Sequence, residues 1–243
     1  MKKKKILCFG DSNTWGCIPR WTSSQLPSER YDEKIRWPRV MLSELGPGWD
    51  LIEEGLGGRT TMFDAPGESY RRGDWYLKPC LLSHRPLDYV VIMLGTNDIQ
   101  PRLHQDSFDL HDLKAGMSRL IDIIRALPEC GTEHGPAQIL ILAPPPIKLA
   151  IGRPDVSSKY GNETGCMLSC HFSKLYAEIA AEYDCRFLDA ARYAAADDSD
   201  GVHFTRESHP KLGIAVAAAI RTMEQNVSQT TMNPHAYTPD IEM

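Results

Sequence analysis

Residues 6–16 read ILCFGDSNTWG, and this segment organises the chain around one serine. The apolar run Ile6 to Phe9 is typical of a strand that is covered on both faces. It ends at Gly10, and Ser12 follows in a turn that has a glycine on either side. Such a turn holds the serine hydroxyl on rigid backbone at the edge of a sheet, where a nucleophile would need a base and an oxyanion site.

Other short apolar runs along the chain predict further strands of the same sheet. Tyr89 to Leu94 and Ile139 to Ala143 are nearly continuous in apolar residues. Asp50 to Glu53 and Arg186 to Leu188 are weaker candidates. Runs that are apolar on both faces are typical of a parallel sheet, because helices cover both of its sides.

Between these runs lie segments with helical periodicity, in which apolar residues share one face. Three such helices are predicted from apolar faces at Trp37 to Leu45, Leu113 to Ile124 and Leu212 to Met223. We also expect one helix within Glu163 to Tyr183 and a shorter one within Trp75 to Ser83. The alternation of strands and helices predicts a doubly wound α/β fold, in which ligands bind beyond the carboxyl ends of the strands.

The length of 243 residues and the net charge of -5 limit the domain count and the partners of the chain. This length fits one domain, which we assign to residues 1–225. We expect the polar tail, residues 226–243, either to be disordered or to contact a neighbouring subunit. The negative charge argues against a nucleic-acid partner. No apolar run is long enough to span a membrane or to form the core of a signal peptide.

The 7 cysteines are odd in number and irregular in spacing, which favours reduced thiols in the cytoplasm over a disulfide framework. Cys166 and Cys170 are four apart and could face the same way on a helix, and His171 is a third possible ligand, but no second cluster completes a tetrahedral set. We therefore expect no structural metal and no cofactor. Two long segments, Cys17 to Lys34 and Pro144 to Gly161, are either lids and contact surfaces or plain surface loops.

Four short motifs fall where predicted strands end or where the last helix begins. They are Gly10 to Ser12, Gly55 to Thr60, Gly95 to Asp98, and Asp200 to His203. Taken singly, each has a structural explanation as a turn, a helix cap or a surface pair. Because parallel strands bring their carboxyl ends to one edge of a sheet, we expect the motifs to lie together.

Together the motifs contain the parts of an acyl-transfer site. A serine hydroxyl is a weak nucleophile near neutral pH, so Ser12 needs a base, and His203 can accept and return its proton. Asp200 can bind the other ring nitrogen and fix the tautomer. The backbone N–H groups of Ser12 and Gly58 and the side-chain amide of Asn97 are the candidate donors to the oxyanion.

The four motifs, in this order, resemble those of the SGNH, or GDSL, hydrolase family. The resemblance implies a flavodoxin-like, three-layer α/β/α fold with a five-stranded parallel sheet. Matched by motif, the serine, glycine, asparagine and histidine of the family correspond to Ser12, Gly58, Asn97 and His203, with Asp200 as the partner of the histidine. The chain is most similar to the bacterial arylesterase and acyltransferase (perhydrolase) branch.

Residues beside the nucleophile are candidates for the substrate pocket. Asp11, Asn13 and Trp15 are expected in its wall, although Trp15 could equally pack beneath the first turn. Asn13 stands where leucine is most common in the family, which would put a polar group next to the nucleophile. Gly57 and Gly58 stand where serine with glycine or alanine is usual.

Other interpretations of these residues have less support. A phosphate could bind at a helix N-terminus after the first motif, but the P-loop and dinucleotide fingerprints are absent. The α/β-hydrolase elbow is absent as well, because Thr14 stands where its second glycine should be. His209 is a second possible base, yet it precedes Pro210 and is expected to cap a helix or to be exposed. A non-catalytic binding module on this fold would usually have lost the serine or the histidine.

We therefore expect a serine esterase that hydrolyses small short-acyl or aryl esters through an acyl-serine intermediate. Deacetylation of acetylated carbohydrate is the alternative. Acyl transfer to alcohols or peroxide is a third activity, which the resemblance implies together with a homo-oligomeric state. The expected partner is a small-molecule ester, with no nucleic acid and no membrane.

Overall fold

The computed structural model describes residues 3–19, 29–64, 67–104, 108–133 and 135–232, with side chains of the last helix described up to residue 226. Within them, the strands are β1 (Lys4–Gly10), β2 (Trp49–Gly55), β3 (Tyr89–Met93), β4 (Gln138–Ala143) and β5 (Arg186–Asp189). The α-helices are α1 (Ser12–Trp15), α2 (Trp37–Leu45), α3 (Gly73–His84), α4 (Leu110–Arg125), α5 (Pro154–Lys159), α6 (Asn162–Ser169), α7 (Phe172–Glu182) and α8 (Ser208–Met232).

The strands form one parallel sheet with the order β2-β1-β3-β4-β5. This confirms the five predicted strands and the doubly wound α/β fold. Gly10 of β1 is opposite Gly55 of β2 and Met93 of β3. The carboxyl ends of these three strands therefore meet, and the segments that follow them lie at the same edge of the sheet.

Alternating residues of β1 enter two separate hydrophobic cores. Leu7 and Phe9 pack in the core beneath α3, α4 and α7, whereas Ile6 and Cys8 pack in the core beneath α2 and α8. Successive side chains of a strand point to opposite faces, so helices cover both sides of the sheet and the fold has three layers. Each fully buried leucine or phenylalanine contributes roughly 1.5–3 kcal/mol, which keeps β1 rigid beneath the loop at its end.

The structure differs from the sequence prediction between Glu163 and Tyr183, where the periodicity predicts one helix. Two helices, α6 and α7, occupy this segment, with a turn at Cys170 between them. At the end of α6, the Ser169 hydroxyl donates to the carbonyl of Cys166 and accepts a hydrogen bond from the N–H of Ile147. A serine that bonds to backbone in this way competes with the regular helix ladder, which explains the break.

The two predicted long loops have different outcomes. The segment Pro144 to Gly161 is not a plain loop, because α5 lies within it and begins at Pro154. Proline suits this position, since the first N–H of a helix has no partner inside the helix. In the segment Cys17 to Lys34, residues 20–28 lie outside the described part of the chain. On either side of them, Cys17 and Arg30 pair as an antiparallel bridge.

The predicted tail begins inside a helix. α8 continues through Met232, so residues 226–232 are helical, and residues 233–243 lie outside the described part. The assignment of residues 1–225 to one domain stays a prediction. Among the described helices, none is both long and apolar enough to cross a membrane.

Candidate active site

The turn after β1 is built from residues that fix its shape. Asp11 caps the short helix α1 by accepting a hydrogen bond from the N–H of Asn13 at 2.9 Å. Gly10 leaves no room for a side chain, because a Cβ there would lie 2.0 Å from a neighbouring side-chain oxygen. Gly16 ends the turn at a φ of 91°, a left-handed conformation that glycine adopts without strain. Ser12 is thereby held at the carboxyl end of a buried strand.

Three of the predicted residues form a continuous chain of hydrogen bonds. Ser12 Oγ lies 3.0 Å from His203 Nε2, and His203 Nδ1 lies 2.7 Å from Asp200 Oδ2. The other carboxylate oxygen of Asp200 accepts the backbone N–H groups of Val202 and His203 at 3.0 and 2.9 Å. The carboxylate is therefore fixed by its own loop, and it orients the imidazole ring toward Ser12.

The charges in this chain of groups are coupled. For Asp200, burial alone would raise the pKa of the carboxyl group, but hydrogen bonds from His203 and from backbone N–H groups hold the pKa below its ordinary value. For His203, burial alone would lower the pKa, but hydrogen bonds with Asp200 and Cys17 raise it. The surroundings therefore favour the imidazolium form of the ring. The contact of His203 with Cys17 is not predicted from the sequence, in which the position of Cys17 directly after Gly16 is the only signal.

Asn13 joins the nucleophile turn to the loop that carries His203. Its side-chain nitrogen donates to the carbonyl of Val202 at 3.2 Å, and its side-chain oxygen accepts the N–H of Phe204 at 3.0 Å. The residue is only 2% exposed. Because both ends of the amide are already bonded, Asn13 joins the two loops, and its assignment to the pocket wall stays a prediction.

Asp11 and Trp15, the other candidates for the pocket wall, also have structural partners. The carboxylate of Asp11 is buried and contacts the N–H of Asn13 and the side-chain amide of Asn97. Burial raises the pKa of Asp11 to about 6, although nearby hydrogen bonds and positive charges oppose the shift. Trp15 is half-buried, and Arg30 Cζ lies 5.3 Å from the centre of its ring. Asp11 is therefore a helix cap beneath the site, whereas Trp15 keeps part of its surface exposed.

The loop after β2 presents Gly58 at the same edge of the sheet. Its φ of 76° lies in the left-handed region, which favours glycine. The buried guanidinium of Arg59 donates to the carbonyl of Gly10 at 2.9 Å and lies 4.2 Å from the centre of the Phe9 ring, which ties the loop to β1. Within the described residues, the N–H groups of Gly58 and Ser12 donate no hydrogen bond. Both are therefore free to bind a substrate oxygen.

Asn97 is oriented by contacts on both ends of its amide. Its oxygen accepts hydrogen bonds from Gln100 Nε2 and from the Tyr160 hydroxyl, each at 3.0 Å. Its nitrogen donates to the carbonyl of Arg59 at 3.1 Å and makes a longer contact of 3.4 Å with Asp11. The amide therefore lies between the nucleophile turn and the Gly58 loop, and the hydrogen that faces Asp11 is held only weakly.

His209, the second candidate base, is a buried ring. It is 0% exposed, so the expected surface position is wrong, and neither ring nitrogen has a hydrogen-bond partner in the described part of the chain. The rings of Tyr31 and Phe204 pack against it, with 5.2 and 5.4 Å between ring centres. Burial, together with nearby positive charges, lowers the pKa of His209 to about 3. The ring is therefore a neutral packing group.

One cluster in the described part of the chain has the donor types of a metal site. Glu54, Cys80 and His84 each place a ligand atom within 4.8 Å of the others. Glu54 is already engaged, because His84 Nε2 lies 3.3 Å from its carboxylate and Arg59 lies 3.9 Å away. Burial raises the pKa of the Cys80 thiol to about 12, which opposes the thiolate that a metal requires. Glu54 therefore already has partners in Arg59 and His84 beside a neutral thiol, and we assign these residues no metal.

The chain is similar to known esterases in sequence and in structure. A model of the GDSL-like Lipase/Acylhydrolase family matches residues 8–210. A carbohydrate acetylesterase from Sinorhizobium meliloti is 35% identical, with 91% of this chain and 100% of that chain covered and a TM-score of 0.83. The M. smegmatis aryl esterase is 34% identical, with coverage of 90% and 99% and a TM-score of 0.82. No match is found among curated proteins.

Proposed function

This chain belongs to the GDSL-like lipase/acylhydrolase family and is an ester hydrolase, and from that premise we propose that it cleaves small esters through an acyl intermediate on Ser12. One observation carries the proposal. The hydroxyl of Ser12 lies 3.0 Å from one nitrogen of His203, and the other nitrogen lies 2.7 Å from Asp200. A serine, a base and a group that orients the base are the parts that acyl transfer requires.

In the first half of the reaction, Ser12 attacks the ester carbonyl while His203 Nε2 takes the hydroxyl proton. Asp200 holds the opposite ring nitrogen and stabilises the positive charge that the ring then carries. The imidazolium gives this proton to the alcohol oxygen as the bond between carbonyl carbon and alcohol breaks. The alcohol departs, and the acyl group stays on Ser12.

The negative charge that develops on the carbonyl oxygen needs donors that await it. We assign this role to the N–H groups of Ser12 and Gly58 and to the side-chain amide of Asn97. Both N–H groups are without another acceptor in the described residues, and one amide hydrogen of Asn97 makes only a 3.4 Å contact with Asp11. One such donor typically contributes about 2.7–4 kcal/mol to transition-state stabilisation.

In the second half, water repeats the sequence with His203 as the base and releases the acid. An alcohol or a peroxide in place of water would give acyl transfer, which we propose as a second activity of the same site. The His203 side chain is only 23% exposed, which limits the access of water to the acyl group. Product analysis at high alcohol concentration tests this activity, and hydrolysis alone would contradict it.

Short-acyl or aryl esters are the proposed substrates, because similar chains at 35% and 34% identity are a carbohydrate acetylesterase and an aryl esterase. The alternative is deacetylation of acetylated carbohydrate, which the first of these relatives favours. Initial rates on peracetylated sugars and on aryl acetates separate the two. A clear preference for the sugar acetates would select the alternative.

The test of the catalytic assignment is Ser12→Ala. The substitution removes the nucleophile and should lower kcat for p-nitrophenyl acetate by roughly 10⁵- to 10⁶-fold. Ser83→Ala, at an exposed position of α3, is the matched control and should retain activity. Mass spectrometry of rapidly quenched wild type should find the acyl group on the peptide that contains Ser12. Substantial turnover by folded Ser12→Ala would overturn the assignment.

We also propose that the protein works as a homo-oligomer in the cytoplasm. Apolar surface that is exposed as a patch marks contacts between proteins. In the described part of the chain, the large apolar side chains that are more than half exposed are Tyr70, Trp75, Ile151, Met167 and Ile214. The irregular spacing of the 7 cysteines suits a reducing compartment. Light scattering that finds a monomer, or fractionation that finds the protein outside the cytoplasm, would contradict these proposals.

A further inference from the structure

Three basic side chains, Arg71, Arg102 and Lys159, lie around the residues that we assign to the oxyanion site, and we call them the cationic cluster. Arg71 ends the 3-10 turn Ser69–Arg71, Arg102 lies in the 3-10 turn Pro101–Leu103, and Lys159 ends α5. Three separate segments of the chain thus converge on one place with the same sign of charge.

Arg71 packs directly on Gly58. A Cβ built on Gly58 would lie 3.1 Å from Arg71 Nε and 3.2 Å from its Cζ. The Nε atom is buried and has no hydrogen-bond partner in the described part of the chain. An unpaired buried donor is unfavourable. This edge of the guanidinium therefore favours an added acceptor, and it lies next to a proposed oxyanion donor, Gly58.

Arg102 is linked to Asn97 through one side chain. Arg102 Nε donates to Gln100 Oε1 at 3.0 Å, and Gln100 Nε2 donates to Asn97 Oδ1 at 3.0 Å. Asn97, like Gly58, is a proposed oxyanion donor that therefore has an arginine near it. The two hydrogen bonds thus link the guanidinium of Arg102 to Asn97, one of the proposed oxyanion donors.

Lys159 lies next to a residue that contacts Asn97, and its Nζ is 5.4 Å from the centre of the Tyr160 ring. It precedes Tyr160, whose hydroxyl donates to Asn97 at 3.0 Å. The turn that follows packs against the Arg102 segment, because a Cβ on Gly161 would lie 3.5 Å from Pro101 Cγ. Lys159 has no ion pair among the described residues, and Glu68 offsets its charge only in part.

The cationic cluster carries more positive charge than its surroundings neutralise. Glu68 lies 3.0 Å from Arg71 Nη1 and 2.7 Å from Arg102 Nη1, and it is the one carboxylate in the described part that pairs with the cluster. Burial and the charges of Arg102 and Arg71 lower the pKa of Lys159, which Glu68 opposes only in part. The excess of positive charge in the cationic cluster is opposite in sign to the net charge of -5 of the whole chain. A bound anion would relieve it.

We propose that the cationic cluster binds a carboxylate on the ester substrate, so that the enzyme prefers negatively charged esters to neutral esters of the same size. This inference rests on the proposed function at Ser12. Arginine binds carboxylates through paired N–H donors, and a charged cleft raises the local concentration of substrates of opposite charge. Binding energy from a part of the substrate that does not react can be used to position the carbonyl.

Two matched substrate pairs test the proposal. The acyl pair is mono-p-nitrophenyl glutarate and p-nitrophenyl pentanoate, and the alcohol pair is 4-acetoxybenzoate and its methyl ester. At low ionic strength we expect kcat/KM of the charged member to exceed that of the neutral member by about fivefold in at least one pair, and added salt should reduce the ratio. The pair that shows the preference identifies the side of the ester that carries the carboxylate.

Lys159→Gln and Arg102→Gln should each reduce this ratio toward one. Lys78→Gln, which removes an exposed cation from α3, is the matched control and should leave the ratio unchanged. Thermal unfolding checks that each variant is folded. If one of the two cluster variants does not fold, the other is sufficient for the test. A wild type with no charge preference in either pair, or a preference that survives both substitutions, overturns the proposal. A wild type that hydrolyses no member of either pair would instead count against the proposed function.

Discussion

His203 and His209 lie on the same short segment, yet their surroundings are opposite. His203 has a hydrogen-bond partner at each ring nitrogen, with Ser12 Oγ at 3.0 Å and Asp200 Oδ2 at 2.7 Å. His209 lies in the first turn of α8 between aromatic rings, and neither of its nitrogens has a partner in the described part of the chain. The difference therefore arises from the partners of each ring: His203 has Asp200 three residues before it and Ser12 from a distant turn, whereas Tyr31 and Phe204 pack against His209.

The two rings show that burial alone does not produce a catalytic base. Burial is the largest influence on both, and it lowers the pKa of each. At His203, hydrogen bonds with Asp200 and Cys17 outweigh burial and raise the pKa. At His209, nearby positive charges add to the effect of burial and bring the pKa to about 3. Hydrogen-bond partners on the ring, first among them the Asp200 carboxylate, therefore separate a base from a neutral packing group.

The largest effect is expected from removal of the paired ring. His203→Ala should lower kcat/KM for an aryl acetate by roughly 10⁵- to 10⁶-fold, because loss of the base in a serine triad costs about as much as loss of the whole triad. Steady-state hydrolysis measures the loss, and a thermal unfolding curve verifies the fold. His171→Ala removes an exposed histidine and should retain activity. If folded His203→Ala keeps a substantial fraction of the activity, another base serves Ser12.

The positions of the proposed catalytic residues are predictable because these residues follow strands. Ser12, Gly58 and Asn97 come shortly after β1, β2 and β3, which are neighbours in the sheet. Parallel strands bring such residues to one edge whatever the length of the loops. The weaker strand signals belong to β2 and β5, which lie at the two ends of the sheet and are partly exposed. Their less apolar sequences reflect that exposure.

What the sequence does not predict depends on contacts between distant residues. The hydrogen bonds of Asn13 with Val202 and Phe204 join positions 189 and 191 apart, and no local pattern indicates them. His209 is a similar case. A histidine before a proline at a helix start is typical of an exposed position, and only the packing of Tyr31 and Phe204 against the ring buries it.

The second test weakens the contact that positions His203 while it leaves the proposed triad intact. Asn13→Leu removes the amide that bonds to Val202 and Phe204. A buried group that loses its partner costs about 1–3 kcal/mol. We therefore expect kcat to fall roughly 10- to 100-fold, with a much smaller change in KM. Steady-state kinetics and urea unfolding measure the two effects.

Asn13→Ala separates the lost hydrogen bonds from altered packing. It removes the same two bonds without the larger leucine side chain, so a similar fall in kcat in both variants assigns the effect to the bonds. An unchanged kcat in both would mean that Asn13 does not position His203. A rise in KM with kcat retained would support the predicted position of Asn13 in the pocket wall.

The smallest effect on activity is expected from the unpaired ring. His209→Phe keeps an aromatic ring against Tyr31 and Phe204 and removes two buried polar atoms that have no partner in the described residues. Activity should stay within about threefold of the wild type. Stability at neutral pH should not fall, because relief of the unpaired atoms, worth about 1–3 kcal/mol, offsets the cost of the slightly larger ring. A collapse of activity in folded His209→Phe would show that this ring takes part in the reaction.

The same variant should also change how stability depends on pH. The pKa of His209 is about 3 in the folded protein and about 6.5 when unperturbed. Between these pH values, His209 is protonated in the unfolded chain but neutral in the folded protein. The stability that comes from a neutral His209 is fully present above pH 6.5 and is lost as the pH falls toward 3, by up to about 1.4 kcal/mol per pH unit. His203 acts in the opposite sense. The pKa of His203 is higher in the folded protein than in the unfolded chain. Its contribution to stability is therefore fully present below the pKa of the unfolded chain and is lost as the pH rises through the pKa of the folded protein.

Urea unfolding on the acid side of neutrality isolates the contribution of His209. In the wild type, the free energy of unfolding should fall as the pH drops below 6.5, and in His209→Phe it should fall less steeply, since phenylalanine binds no proton in either state. The substitution leaves His203 and its partners in place, so any contribution of the paired ring is common to both curves. Equal slopes would mean that the folded protein accommodates a protonated His209, and the two histidines would then differ in their partners but not in their charge.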